Sequence, residues 1–145
     1  MIEPHAILKP ICGMALVTFA VACILFYVRI GEMRRKRVHP QKMDVGDQGE
    51  MLLPEQMRAS DNFENLFEMP VLFYVACLTI FVSGLTDMTY VVMAWIYVLA
   101  RAHHSFIHCT YNKVLHRFYV YFFSCILLGT IWARIAGQMI FSGRF

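Results

Sequence analysis

The fold class this sequence predicts is all-α: an integral-membrane four-helix bundle forming one domain, residues 1–145. Three observations carry it. Of the 145 residues, 59% are hydrophobic and 16% charged, whereas soluble domains run near half apolar and about a quarter charged. Four apolar stretches, residues 11–30, 69–85, 88–102 and 118–141, reach or approach the roughly 20 residues a helix needs to cross a hydrocarbon core about 30 Å thick. The remaining polar residues gather at one end of the predicted helices. The helices are expected at about residues 6–34, 55–84, 87–111 and 114–141.

Helix one contains "ICGMALVTFAVACILFYVRI". Its positive charges follow the apolar run, and the run is longer than a signal-peptide core, so it is expected to be retained. Residues 38–54 form the one real loop, with Pro40, Gly46, Gly49 and Pro54 and no sustained apolar period. Helix two starts before the membrane near Glu55. Pro70 lies inside its run and should kink it, because proline removes a backbone donor and crowds the preceding turn. The "SGLTDM" connection is short, which makes helices two and three antiparallel neighbours. The connection near 110–116 is also short. The five cysteines form no CxxC, and four lie in apolar spans, where they read as small packing residues.

Net charge is +3, and its placement is informative. Arg29, Arg34, Arg35, Lys36, Arg37 and Lys42 follow helix one, and Lys113 and Arg117 flank the third connection, while the second connection has no Lys or Arg. The positive-inside rule then places the first and third connections in the cytoplasm and both termini on the opposite side. The neighbouring span argues against reading the arginine run as a nucleic-acid surface, and no nucleic-acid partner is expected.

On a helical projection Arg58, Asp61 or Asn62, Asn65, and Glu68 or Met69 fall at spacings of three and four and share a face. Glu64 is displaced by about one position. Helix three offers Arg101, His104 and His108, and helix four Arg117, Tyr121, Ser124 and Cys125. Arg29 comes from helix one at the same end. Basic, amide and phenol groups thus converge on one level, a composition suited to a polar ligand bearing carboxylates. Each residue alone also fits an interfacial side chain or a helix-packing contact. His103, His104, His108, Cys109 and His116 raise the question of a metal. His104 and His108 share a face at i and i+4, but no HExxH motif and no nearby carboxylate accompanies them, so no metal ligands are assigned.

These patterns resemble the MAPEG family, membrane-associated proteins in eicosanoid and glutathione metabolism. In "RASDNFEN" the family's Arg-Ala and following Asn correspond to Arg58, Ala59 and Asn62, with Asn65 where the family has Glu. In "RAHHSFIHCTYNKVLHRFYVY" the family's Arg, His, Arg and Tyr correspond to Arg101, His104, Arg117 and Tyr121, with His108 in a Tyr slot. "NLFEMPVLFY" looks like a bacterial branch, and the resemblance spans essentially the whole chain. It implies a homotrimer in the bacterial inner membrane, with membrane lipids and a lipophilic small molecule as partners. It also implies glutathione as co-substrate, bound between subunits near the cytoplasmic face. The ligand-holding residues would be Arg29, Arg58, Asn62, Asn65, Arg101, His104, His108 and Tyr121. Arg117 would be the catalytic cation near the sulfur, since an adjacent cation favours the nucleophilic thiolate. Asp61 stands where glutathione-binding members carry a basic residue, and Phe118 follows Arg117 where some carry Ser. These departures make the pocket less positive and leave open a non-catalytic lipid-binding or scaffold role on the same fold.

Overall fold

The computed structural model describes residues 3–36 and 54–141. The loop read at 38–54, and Arg37 and Lys42 of the basic run, lie outside these, apart from Pro54. A short 3-10 turn, Pro4–Leu8, leads into α1, Lys9–Lys36. Next come α2, Pro54–Asn65, and α3, Met69–Val82. The chain continues through α4, Met88–Cys109, and α5, Val114–Phe141.

Three stretches among the described residues are long and apolar enough to cross a membrane: Pro4–Gly31, Ser60–Val82 and Val114–Phe141. At 1.5 Å per residue α4 is about 33 Å long, so it matches them in length. It falls short in apolarity because Arg101, His103, His104 and His108 occupy its last three turns. Arg101, His104 and His108 are buried, so α4 turns much of its polarity inward rather than toward lipid. Hydroxyls in the spans are satisfied locally: Thr18 Oγ1 donates to Met14 O (3.1 Å) and Thr130 Oγ1 to Ile126 O (2.9 Å). Such i−4 bonds are a usual solution where water is absent.

The expected kink at Pro70 is a full break, and it falls earlier. α2 ends at Asn65, residues 66–68 form a turn, and α3 restarts at Met69 with Pro70 in its first turn. The reason lies in the hydrogen-bond ladder. Pro70 has no N–H to give to Leu66 O, and the first turn of a new helix is the place where that donor is not needed. The chain therefore ends one helix and begins another. α2 packs chiefly on α1 and α4, and α3 on the 3-10 turn and α5.

α4 is the centre of the bundle, with Tyr90, Ala94, Tyr97, Val98 and Ile107 buried beside its polar groups. Phe73 of α3 stacks on Tyr97 with centroids 4.5 Å apart, a contact of about 0.5–1.5 kcal/mol beyond area burial. Leu128, Ile131 and Ile135 of α5 and Met14 and Val21 of α1 complete the core. Gly13 lets α1 approach α4: a Cβ there would sit 2.9 Å from Trp95 Cζ3. α3 closes on Gly84 at φ +65°. Gly84 N–H donates to Phe81 O (3.2 Å) and Leu85 N–H to Ile80 O (3.0 Å), which is the Schellman arrangement.

Next to that turn Asp87 caps α4, accepting from Tyr90 N–H at 2.9 Å. The same carboxylate holds Arg134 through both oxygens, with Arg134 Nη1 3.1 Å from Oδ1 and Nη2 on Oδ2. The Arg134 guanidinium lies 4.0 Å from the Tyr90 ring centroid, and Tyr90 Oη donates to Gln138 Oε1 at 2.7 Å. The Arg134 hydrogen bond holds the Asp87 carboxyl below its ordinary range, partial burial opposes this, and the Tyr90 N–H assists it.

Two outcomes follow. Because the folded pKa of Asp87 is depressed, its ion pair contributes fully above the unfolded carboxylate pKa of about 3.9 and is lost as pH falls through the lower folded value. Thermal unfolding in detergent should show Asp87→Ala destabilised near neutral pH by about 1–2 kcal/mol, from the lost cap and a half-exposed ion pair. Asp87→Asn keeps a cap acceptor and should lose less, and its difference from wild type should fade in acid. Gly13→Leu should destabilise by about 1–3 kcal/mol through overpacking against Trp95. By contrast Gly129→Ala, where a Cβ meets nothing within 4 Å, should be neutral or slightly stabilising.

Candidate functional site

The turn joining α4 to α5 is sharp because Asn112 adopts φ 49°, a left-handed conformation that Asn tolerates. The turn folds α5 back along α4, so the stripe Arg101, His104, His108 faces Arg117 and Tyr121. His104 and Tyr121 ring centroids are 5.7 Å apart, as are those of His104 and His108. A pocket of about 220 Å³ opens here, lined by His104, Val114, Arg117, Phe118 and Tyr121.

Arg101 is fully buried. Its Nη2 donates to Asn65 O, the last carbonyl of α2, at 2.7 Å, and its Cζ lies 5.4 Å from the Tyr121 ring centroid. Its Nε and Nη1 have no hydrogen-bond partner among the described residues. Arg117 Nη1 donates to Asn112 Oδ1 at 2.7 Å, and its Nε has no partner among the described residues. Arg117 thus lines the pocket and Arg101 lies buried against Tyr121, one of its walls; an amide holds the first and a backbone carbonyl the second, with no carboxylate paired to either among the described residues. A guanidinium carries five donors, and buried polar groups left without partners point to a ligand or water.

The other expected residues divide. Asn65 is at the site through its backbone, and its side-chain Nδ2 turns back to Asp61 O (2.8 Å). Asn62 faces the core instead of the pocket: Ser105 Oγ donates to its Oδ1 at 3.3 Å, and its Nδ2 donates to Cys109 Sγ at 3.4 Å. Arg29 is exposed on α1 and is not brought to the pocket within this chain. Arg58 lies on the first turns of α2, and its side chain lies outside the described residues. Asp61 is exposed. Of the histidines that raised a metal question, His104 and His108 stay together and His103 and His116 lie apart from them. His103 is exposed beside an apolar groove of about 400 Å³ between α4 and α5, and His116 pairs with Tyr111 (3.3 Å). Among the described residues no group of three or more His, Cys, Asp or Glu is placed to hold a metal.

Three features escaped the sequence reading. Ser105 carries no pattern that marks it, and Cys109, noted only among possible metal ligands, gave no sign that it would meet Asn62. The Asp87–Arg134 pair lies at the opposite end of the bundle. Arg134 inside an apolar run was a usable signal, but its partner is 47 residues away.

A polytopic helical membrane bundle with a cationic pocket between its last two long helices is the class defined so far. The family model described as "MAPEG family" matches residues 11–137, most of the chain, and the protein belongs to that family. Neither curated proteins nor solved structures yielded a match.

Because Asn62 supports Ser105 from inside the core, Asn62→Ala should act first on stability. The loss should be about 1–3 kcal/mol from a buried unsatisfied hydroxyl, read by thermal unfolding in detergent. Ligand affinity measured well below the unfolding transition should change little.

Proposed function

We propose that this protein is a glutathione-dependent transferase or peroxidase acting on lipophilic electrophiles that enter from the bilayer. The observation that carries this is the pair Arg101 and Arg117, one buried against a wall of the pocket and one lining it, neither with a carboxylate partner among the described residues. Arg101, with His104 and Tyr121, would hold an anionic end of the tripeptide. Among the described residues Arg117 is held by an uncharged amide, so its charge remains to favour a thiolate. In transfer, the thiol proton leaves to water, a sulfur–carbon bond forms, and the leaving group departs with its bonding electrons. With a hydroperoxide, two thiols end as one disulfide while the peroxide becomes an alcohol and water.

The working form on this reading is a homotrimer. Its first and third connections face the cytoplasm of a bacterium, and its inner membrane supplies the lipophilic partner. Arg29, exposed on its own chain, would then contribute to a neighbour's pocket.

A second reading, a non-catalytic lipid-binding or scaffold protein, draws on the apolar groove between α4 and α5 and on Asp61 in a slot that is basic in glutathione-binding members.

Purified protein in detergent should bind glutathione by calorimetry and develop ultraviolet thiolate absorbance. Arg117→Ala should abolish that absorbance and lower turnover by about a hundredfold, as for loss of one charge-stabilising donor. Absence of both binding heat and thiolate absorbance in the wild type would overturn the glutathione reading. A scaffold role would survive Arg117→Ala with lipid association intact.

A further inference from the structure

The apolar groove of about 400 Å³ between α4 and α5 falls within the usual size of small-molecule sites, about 300–1,000 Å³. Ile96, Leu99 and His103 line it from α4, and Tyr119, Val120 and Phe123 from α5. The Arg117 pocket takes Val114, Arg117, Phe118 and Tyr121 from α5 instead. At 100° per residue these two sets of α5 side chains point roughly 160° apart, so groove and pocket open on different sides of the hairpin. The groove also has a direction. Along α4, His103 lies roughly 9 Å before the helix end at Cys109 and Ile96 roughly 20 Å before it. The polar members of the lining, His103 and Tyr119, therefore stand at the mouth nearer the turn, with Ile96 and Phe123 deeper. α5 belongs to a span, and His103, Tyr119 and Phe123 are exposed on its outer surface or beside it. An imidazole and a phenol exposed there suit the level at which acyl chains give way to headgroups. Charge points the same way. From Met88 to Phe145 there is no Asp or Glu, while Arg101, Lys113, Arg117, Arg134 and Arg144 fall in that stretch. Lys113 extends the groove's own stripe: Lys113, His116, Val120 and Phe123 follow at helical spacings of three and four. Arg117 N–H donates to Lys113 O at 3.1 Å, so the helical ladder already starts at Lys113. Lys113 and His116 are both exposed, His116 against Tyr111.

We propose that this groove binds an anionic phospholipid of the surrounding bilayer, one acyl chain along Ile96, Leu99 and Phe123 and the phosphate between His103 and Lys113. A purely apolar ligand would leave His103 and Tyr119 facing hydrocarbon. A zwitterionic lipid brings its own cation to a mouth that carries Lys113 and no carboxylate from this hairpin. An anionic headgroup meets both conditions, and a basic side chain at a membrane surface favours it by about fivefold. Such binding is independent of what fills the Arg117 pocket, and holds for a catalytic or a non-catalytic protein alike.

Native mass spectrometry on the delipidated full chain in detergent tests it, with phosphatidylglycerol and phosphatidylcholine of identical acyl chains as probes. Wild type should bind phosphatidylglycerol about fivefold or more the tighter, the scale of one basic residue at an anionic surface, and binding should saturate. Lys113→Gln combined with His103→Gln should bring the ratio near one while phosphatidylcholine binding stays as it was, which also shows that the variant is folded. Leu99→Trp, which fills the groove, should weaken both lipids. Wild type without a preference, or with binding that never saturates, overturns the proposal, as does a Lys113→Gln, His103→Gln variant that keeps the full ratio. A preference lost instead in Arg117→Ala moves the phosphate to the pocket and also overturns it. A Leu99→Trp variant that keeps both lipids but loses its oligomeric state overturns it too, and assigns the groove to a contact between copies. None of these outcomes bears on glutathione binding.

Discussion

A guanidinium buried inside a membrane protein must be answered, and the polar end of this bundle is organised around that demand. Arg101 sits on the inward face of α4 and is fully buried. Hydrocarbon offers it no partner, so its partners come from protein or ligand. α2 supplies a carbonyl by ending at Asn65, and α5 supplies the face of Tyr121. The break in the second span thus has two causes that agree: Pro70 has no donor for the ladder, and Arg101 takes up a carbonyl that the ladder leaves open.

The two ends of the bundle treat charge in opposite ways. At one end Asp87, Arg134, Tyr90 and Gln138 close a chain of mutually satisfied groups tying the starts of α4 and the end of α5. At the other, Arg101 and Arg117 keep nitrogens without partners among the described residues, beside a pocket. Unsatisfied polar groups in a low-dielectric setting destabilise, so the open end depends on rigidity that the closed end and the apolar core provide.

The bundle itself was legible because apolar length is a local property, and α5 spans 114–141 as read from its pattern. The meeting of Arg101, His104, Arg117 and Tyr121 was legible as well: spacings of three and four fix the faces, and a tight turn fixes the partner helix. Asn62 was not. Its spacing places it on the polar stripe, and nothing in a single sequence tells a ligand-facing amide from one that serves Ser105 and Cys109, 43 and 47 residues away. Pro70 announced a disturbance but not its position, because proline perturbs the turn before it. Asp87 looked like an ordinary residue at a helix start, and although Arg134 stood out in its apolar run, only the folded chain brings the two together.

The turn at residues 66–68 also divides the labour of sequence change. α2 answers chiefly to α1 and α4, and α3 to the 3-10 turn and α5. A continuous helix would pass any rotation at its polar end down into the apolar core. Here substitutions in α2 can alter the polar end of the second span while α3 keeps its register. The fold can therefore accept change at that end without rebuilding the part that holds it in the membrane.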